Sequence, residues 1–359
     1  MRIRRSKIAI PFSNYKSIAG MPTTFPPFVR SMSVAALAAT LLGCSPQKIH
    51  AQASITVTTP PAADPGVTVT TPSASDPGVM MDPPAPTEND DDNRDKMREI
   101  ETGVLWYPTE ASTESGVIKL WVYIPKAVHN DPEKKVPCVL VAPAGTPMIW
   151  GSRLGEGAQR EHLPYVRAGF CVIGYEIEGD CDADQSNEQI LAAVTQFRQA
   201  HAGISDARAA ISYALTMPEV DPKRIYVAGH SSAASLALLA AEYDTRVAGC
   251  MAYAPPTDLV ARMGPKFINV MRQLIPDIKS FLIHSAPITG VKRLKCPLFL
   301  FHADDDSNVP LADNTAFYKR VSKFNKHVTF VRVNKGDHYV SMITQGIPRA
   351  IVWLKKQPQ

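Results

Sequence analysis

The chain has 359 residues, 45% of them hydrophobic, 20% charged and 8% aromatic. That composition excludes wholesale disorder, a collagen-like rod and a multi-pass membrane protein, and the length allows one large domain or two small ones. The net charge of +4 is local: of 38 Lys and Arg, six lie in residues 1–30, leaving 32 against 34 acidic residues, so no basic nucleic-acid-binding fold is indicated.

In chain order, the first element is an export signal, expected over residues 1–43. Arg30 flanks an apolar run from Val34 to Gly43. A charged flank followed by such a run fits a secretory leader. Leu41-Leu42-Gly43-Cys44 resembles a bacterial lipobox, which implies lipidation at Cys44. Cleavage after Ala53 in Ala51-Gln52-Ala53 and starts at Met21 or Met32 are alternatives, and a short buried helix is the plain structural reading. The expected location is the bacterial cell envelope or the exterior. A membrane is engaged only through the lipid, since no unbroken apolar stretch is long enough to span one. Ser45 after the cysteine does not suggest retention at the inner membrane.

Residues 44–98 read as a flexible tether. A twelve-residue unit, Thr56–Val67, recurs as Thr68–Val79 with ten positions identical. It is too short and too proline-rich to pack as a repeat and favours extended chain. The acidic run from Glu88 to Asn93 lacks the glycine and closing Glu of an EF-hand and reads as solvated linker.

From residue 99 to 357, apolar strands alternate with helices. Strands are expected at Val104–Tyr107, Val117–Ile124, Pro137–Ala142, Gly169–Tyr175, Arg224–Gly229, Val247–Tyr253, Pro297–Phe301 and Val328–Val333. Helices are expected at Ile204–Met217, Ser232–Glu242, Ala312–Lys323 and Ile347–Lys355. Near-continuous apolar strands separated by helices imply an α/β fold: a mostly parallel eight-stranded sheet, antiparallel only near its start, with helices on both faces. Residues 256–295 are too apolar for a loop and form either a small cap over the carboxyl edge or an extra packing helix. Cys138, Cys171, Cys250 and Cys296 fit small buried core residues, and a Cys171–Cys181 bridge stays open in an exported protein. Tyr107, Trp150, Phe267 and Met271 are pocket or core.

Three strand ends carry chemistry. Gly229-His230-Ser231-Ser232-Ala233 joins a strand to a helix, the context in which G-x-S-x-G presents a nucleophile on a sharp turn. Ala233 replaces the last glycine and keeps that position small. His302-Ala303-Asp304-Asp305-Asp306 follows another strand and offers three adjacent carboxylates, one of which could orient an imidazole. A solvated acidic loop, or a metal site with His302, is the alternative. His338 follows the last strand in Lys335-Gly336-Asp337-His338-Tyr339. A serine hydroxyl needs such a base, and the base needs an orienting acid. Asp180, Asp182 and Asp184 alternate in one loop but lack the rest of a calcium set.

The order serine, acid, histidine and the run Asp221-Pro222-Lys223-Arg224-Ile225-Tyr226-Val227-Ala228-Gly229-His230-Ser231 resemble the α/β-hydrolase superfamily. More closely, the chain resembles the catalytic domain of prolyl-oligopeptidase-type serine peptidases and the related carboxylesterases and dienelactone hydrolases. In those relatives the acid precedes x-x-Val-Pro, which selects Asp306. The resemblance implies Ser231 as nucleophile, His338 as base, Asp306 as orienting acid and the Ser232 N–H as an oxyanion donor. Relatives carry His-Gly-Gly or similar after the third strand, where this chain has Pro143-Ala144-Gly145. Proline has no N–H, so Gly145 is the expected second donor, with Thr146 behind it. No metal or other cofactor is implied. The expected substrate is a small molecule or short peptide, with ester cleavage ahead of peptide cleavage, because a linker this short leaves no room for a substrate-filtering propeller. A weakly catalytic binding protein on the same fold is the remaining alternative. Oligomeric state is not legible.

Overall fold

The structure is a computed structural model that describes residues 93–155, 157–182 and 185–358. The export segment, Cys44, Ala51–Ala53, the repeats and Asp184 lie outside the described residues. Among the described residues no helix is long and apolar enough to cross a membrane.

Nine strands form one sheet, against the eight expected. They are β1 (Arg98–Glu101), β2 (Val104–Ser112), β3 (Val117–Pro125), β4 (Val136–Val141), β5 (Cys171–Tyr175), β6 (Val220–His230), β7 (Val247–Tyr253), β8 (Leu298–Ala303) and β9 (Val328–Val333). Their order is β1-β2-β3-β5-β4-β6-β7-β8-β9. The pairs β1–β2, β2–β3 and β3–β5 are antiparallel, and all later pairs are parallel. The extra strand, β1, is a four-residue edge with no buried position, so it lacks the apolar pattern that reveals a strand. Residues before it also belong to the fold: the Arg94 guanidinium donates to both Glu219 carboxylate oxygens at 2.9 and 3.0 Å.

Strand chemistry matches strand position. β4, β5 and β8 carry an almost unbroken apolar sequence because both faces of a parallel sheet are covered. Successive residues point to opposite faces. Thus Leu140, Val227 and Leu300 join one core, while Val141, Ala228 and Phe301 join the other.

Two helices pack on the second core: α1 (Gln159–Arg167) with Tyr165 and Val166, and the C-terminal α8 (Ile347–Leu354) with Ile347 and Ala350. The opposite face takes α2 (Asn187–Gln199), α3 (Ile204–Thr216), α4 (Ser232–Tyr243) and α7 (Leu311–Val321). α4 is apolar nearly all round because it lies between the sheet and α3, and every residue from Ser232 to Glu242 is buried. α1 and α2 escape a periodicity reading. α1 carries an internal Pro164, and α2 announces itself only by its capping box, in which Ser186 and Gln189 exchange hydrogen bonds.

Residues 256–295 hold α5 (Leu259–Met271, kinked at Gly264) and α6 (Ile278–His284), then a single turn at Pro287–Gly290. Both expectations for this segment describe part of it. Phe267, Met271, Phe281 and Leu282 are core, while Leu259, Arg262 and Met263 line a cavity beside Ser231. Tyr107, Trp150, Phe267 and Met271 are all core. Cys171 forms no disulfide, which removes the Cys171–Cys181 bridge; the Cys181 thiol donates to Gln185 Oε1 at 3.1 Å.

Candidate active site

The carboxyl ends of β4, β6, β8 and β9 converge, as open α/β sheets place their ligand crevices. β6 passes into α4 through Ser231, whose φ of 54° and ψ of −122° are strained for a residue with a side chain. Such a conformation costs about 1–3 kcal/mol and persists only where its surroundings dictate it. Here the Ser231 N–H donates to Tyr253 O at 2.9 Å, and its carbonyl accepts from Ala234 and Ser235. A Cβ at Gly229 would lie 2.2 Å from Ala233 O, so only glycine fits that approach. The turn lifts the Ser231 side chain into a cavity of about 490 Å³ that His338, Gly145, Arg160 and Glu161 also line.

The three adjacent aspartates after β8 have three different partners. Asp304 pairs with Arg332 of β9 through two bonds of 3.0 Å. Asp305 accepts from the backbone N–H groups of Gly336 and Asp337 at 3.2 and 2.9 Å. Asp306 Oδ2 accepts from His338 Nδ1 at 2.8 Å, and its Oδ1 accepts from the N–H groups of Asn308 and Val309, both at 2.8 Å. Burial pushes the Asp306 carboxyl up, but its bond to His338 and those two N–H groups outweigh burial and hold it below the ordinary carboxylate range. It is therefore a fixed anion.

That bond places the His338 proton on Nδ1 and leaves Nε2 as an acceptor. Nε2 has no hydrogen-bond partner among the described residues, so the Ser231 hydroxyl is not bonded to it here. Such contacts often tighten only with substrate present. Asp337 completes the clasp from the other side, accepting from Ser307 N and Oγ at 2.9 and 2.7 Å.

Two further histidines support these loops, and neither role is legible in sequence. His230 Nε2 donates to the His338 carbonyl at 3.1 Å, and the two rings lie 4.4 Å apart. Burial, then the charge of His338, depresses the His230 pKa to about 3, so it stays neutral. His302 is buried and donates from Nε2 to Val309 O at 3.0 Å. It buttresses the acid loop. Among the described residues no three His, Cys, Asp or Glu side chains group to hold a metal ion. Asp180 and Asp182 instead bind Arg153, at 2.6 and 3.2 Å.

In the 143–148 loop two N–H groups converge on one side chain. Gly145 has a φ of +98°, which suits glycine alone. Its N–H does not point into open space: Gly145 and Thr146 both donate to Ser232 Oγ, at 3.0 and 3.1 Å. The backbone N–H of Ser232 sits in the first turn of α4, where no intrahelical acceptor exists. From the other side Arg262 of α5 donates to Asn308 O and Oδ1, at 2.5 and 2.6 Å, tying the 256–295 segment to the acid loop. Glu161, facing the cavity, is pushed up to about 7 by burial.

The architecture and the placement of these loops are those of the α/β-hydrolase fold. Solved structures agree. Acetyl xylan esterase 1 from Thermoanaerobacterium sp. superposes with a TM-score of 0.55 at 17% identity, over 78% of this chain and 89% of that one. Dipeptidyl peptidase 4 of Porphyromonas gingivalis also gives 0.55, at 18% identity, over 70% of this chain and 35% of that one. At such identities the likeness concerns the fold. In sequence, acetyl esterase Axe7A of Xylanibacter ruminicola is 23% identical over 217 residues, 54% of this chain and 48% of that protein. The chain thus spans about half the length of this curated relative. The family model for the prolyl oligopeptidase family matches residues 159–356, and the chain belongs to that family.

Proposed function

We propose that this chain is a serine hydrolase that cleaves carboxylic esters with a short acyl group through an acyl-enzyme. The observation that carries the reading is the 2.8 Å His338–Asp306 pair at the wall of the cavity into which the strained Ser231 turn projects. Ser231 Oγ attacks the ester carbonyl carbon while His338 Nε2 takes its proton. The tetrahedral oxyanion is held at the start of α4, where the helix dipole favours negative charge. The bond to the alcohol oxygen then breaks, and His338 returns the proton to the leaving group. Water, deprotonated by His338, attacks the acyl-enzyme and frees the acid. Asp306 holds the correct imidazole tautomer and offsets the imidazolium charge throughout.

The acyl preference rests on a second cavity of about 50 Å³ beside Ser231, walled by Met148, Pro256, Leu259 and Met263. One water needs at least about 10–15 Å³ of such space, so the cavity admits a few heavy atoms and suits an acetyl better than a long acyl group. The acetyl esterase and acetyl xylan esterase names among the similar proteins agree with this size. The competing reading, a small peptidase, draws on the family itself. We also propose export with a lipid anchor at Cys44, supported by the apolar run and lipobox-like quartet.

The test is fluorophosphonate labelling of the full chain with peptide mapping, followed by turnover of p-nitrophenyl acetate, longer acyl esters and peptide anilides. Label is expected on Ser231, with acetate turned over fastest. Ser231→Ala should lose the label and at least about 10⁴-fold of kcat while staying folded. Unchanged turnover in that variant would remove Ser231 from the chemistry. Faster anilide cleavage would favour the peptidase, and an unlabelled, inactive folded chain would favour a binding protein.

A further inference from the structure

The oxyanion side of the site holds a side chain where backbone groups were expected. Ser232 is 3% exposed, and its Oγ accepts both the Gly145 and Thr146 N–H groups. A hydroxyl has two acceptor lone pairs and one proton. Both lone pairs are engaged, so the proton is the group's remaining capacity. Among the described residues nothing accepts it. Ser232 lines the small cavity together with Ser231, Gly145 and Thr146. The proton therefore has a wet or substrate-filled space to enter, next to the nucleophile. Pro143 carries no N–H, and two of the N–H groups that follow it, those of Gly145 and Thr146, end on Ser232.

We infer that Ser232 supplies two donors to the oxyanion, its backbone N–H and its side-chain Oγ–H, and that Gly145 and Thr146 act through that hydroxyl rather than on the substrate. This rests on the reading of Ser231 as nucleophile. The physical advantage is polarisation. An oxygen that accepts two hydrogen bonds holds its own proton less tightly and donates it better, and the effect grows out of water. The two N–H bonds also fix the hydroxyl in one rotamer, so the donor is oriented before charge develops on the substrate. A second serine after the nucleophile is thus matched to a loop that starts with proline. The side chain replaces the donor geometry that a His-Gly-Gly loop would give.

The full chain, Ser232→Ala, Ser232→Cys and Ser232→Thr are compared on p-nitrophenyl acetate and on its thiono analogue, in which sulfur replaces the carbonyl oxygen. Sulfur is a weak acceptor, so a lost oxyanion donor must hurt the oxygen ester more. Ser232→Ala is expected to lose about 10²–10³-fold in kcat on the oxygen ester with KM little changed, and the oxygen-to-thiono rate ratio should fall with it. Ser232→Cys keeps a similar shape with a weaker donor and should follow. Ser232→Thr keeps the hydroxyl and should restore most of the ratio. Equal losses on both esters, or wild-type or faster turnover in Ser232→Ala and Ser232→Cys, overturn the inference. A labelled and active wild type with an unchanged ratio in these variants overturns this inference alone. A wild type that takes no fluorophosphonate and turns over neither ester overturns the nucleophile reading, and this inference with it.

Discussion

The two sides of the Ser231 site are held by different means. On the acid–base side, the loops after β8 and β9 are tied by many bonds of different kinds. Asp304 grips Arg332, Asp305 grips two backbone N–H groups, Asp337 grips Ser307, and His230 and His302 bind carbonyls beneath them. On the oxyanion side, Gly145 and Thr146 both end on the hydroxyl of Ser232. Redundant ties share strain, so removing one leaves the geometry to the others. A single tie concentrates function in one atom. The difference teaches that side chains on the acid–base side should fall into steep and shallow classes according to whether they touch the reacting imidazole.

The steepest loss on that side is expected at Asp306. Asp306→Asn keeps the shape but removes the anion that fixes the Nδ1–H tautomer. By analogy with the same change in the chymotrypsin-type triad, kcat should fall by about 10³–10⁴-fold with little change in KM. Steady-state rates against pH check this. A loss below tenfold would mean that the surrounding ties orient His338 without the carboxylate, and the steep class would be empty.

His230 comes next because it touches the backbone of His338 rather than its reactive edge. His230→Gln keeps a neutral donor near the His338 carbonyl and should cost no more than about tenfold in kcat, the worth of one hydrogen bond. Its sharper signature is in stability. The folded pKa of about 3 lies below the value of about 6.5 expected unfolded. Between these values the unfolded chain binds a proton that the folded chain does not. Wild-type stability from this group is therefore full above about pH 6.5 and declines by about 1.4 kcal/mol per pH unit as pH falls toward 3. Glutamine has no such loss. Opposing groups such as Glu161, pushed up to about 7, are present in both chains and cancel in the comparison. Urea unfolding at pH 7, 6 and 5 should show the variant gaining on the wild type as pH drops. A constant gap would mean that His230 is not held neutral.

Much of this was legible because the chemistry is local. Gly229 to Ala233 lies between an apolar strand and an alanine-rich helix, and Gly229 and Ala233, two positions either side of Ser231, are small for a steric reason that the residue types themselves express. The eight apolar strands carry their own burial pattern. What stayed hidden depends on residues far apart in sequence. Composition cannot rank Asp304, Asp305 and Asp306, since the partners that tell them apart, Arg332, Asp337 and His338, lie beyond residue 331. A resemblance to relatives chose Asp306, and the distances show what the other two do. The Ser232 contact spans 86 and 87 positions and has no local signature. Tyr107 and Trp150 could not be separated from pocket residues because an aromatic facing the core and one facing a cavity look alike in one sequence. β1 is too short and too polar to show at all.

The smallest effect is the most direct probe of redundancy. Asp304 stands two positions from Asp306 and pairs with Arg332, but the side chains are 33% and 51% exposed. An ion pair in that setting contributes about 0.2–1 kcal/mol, because water solvates both charges nearly as well and two side chains must be held in one geometry. Asp304→Ala should therefore lower stability by no more than that and leave kcat within about twofold, since Asp305 and Asp337 still clasp the two loops. The modest stability loss should shrink further in high salt, where exposed charges are screened. Unfolding midpoints at low and high salt, with acetate-ester rates beside them, read both quantities. A tenfold fall in kcat would show that the ties act as one cooperative unit, and that the acid–base side is as concentrated as the oxyanion side.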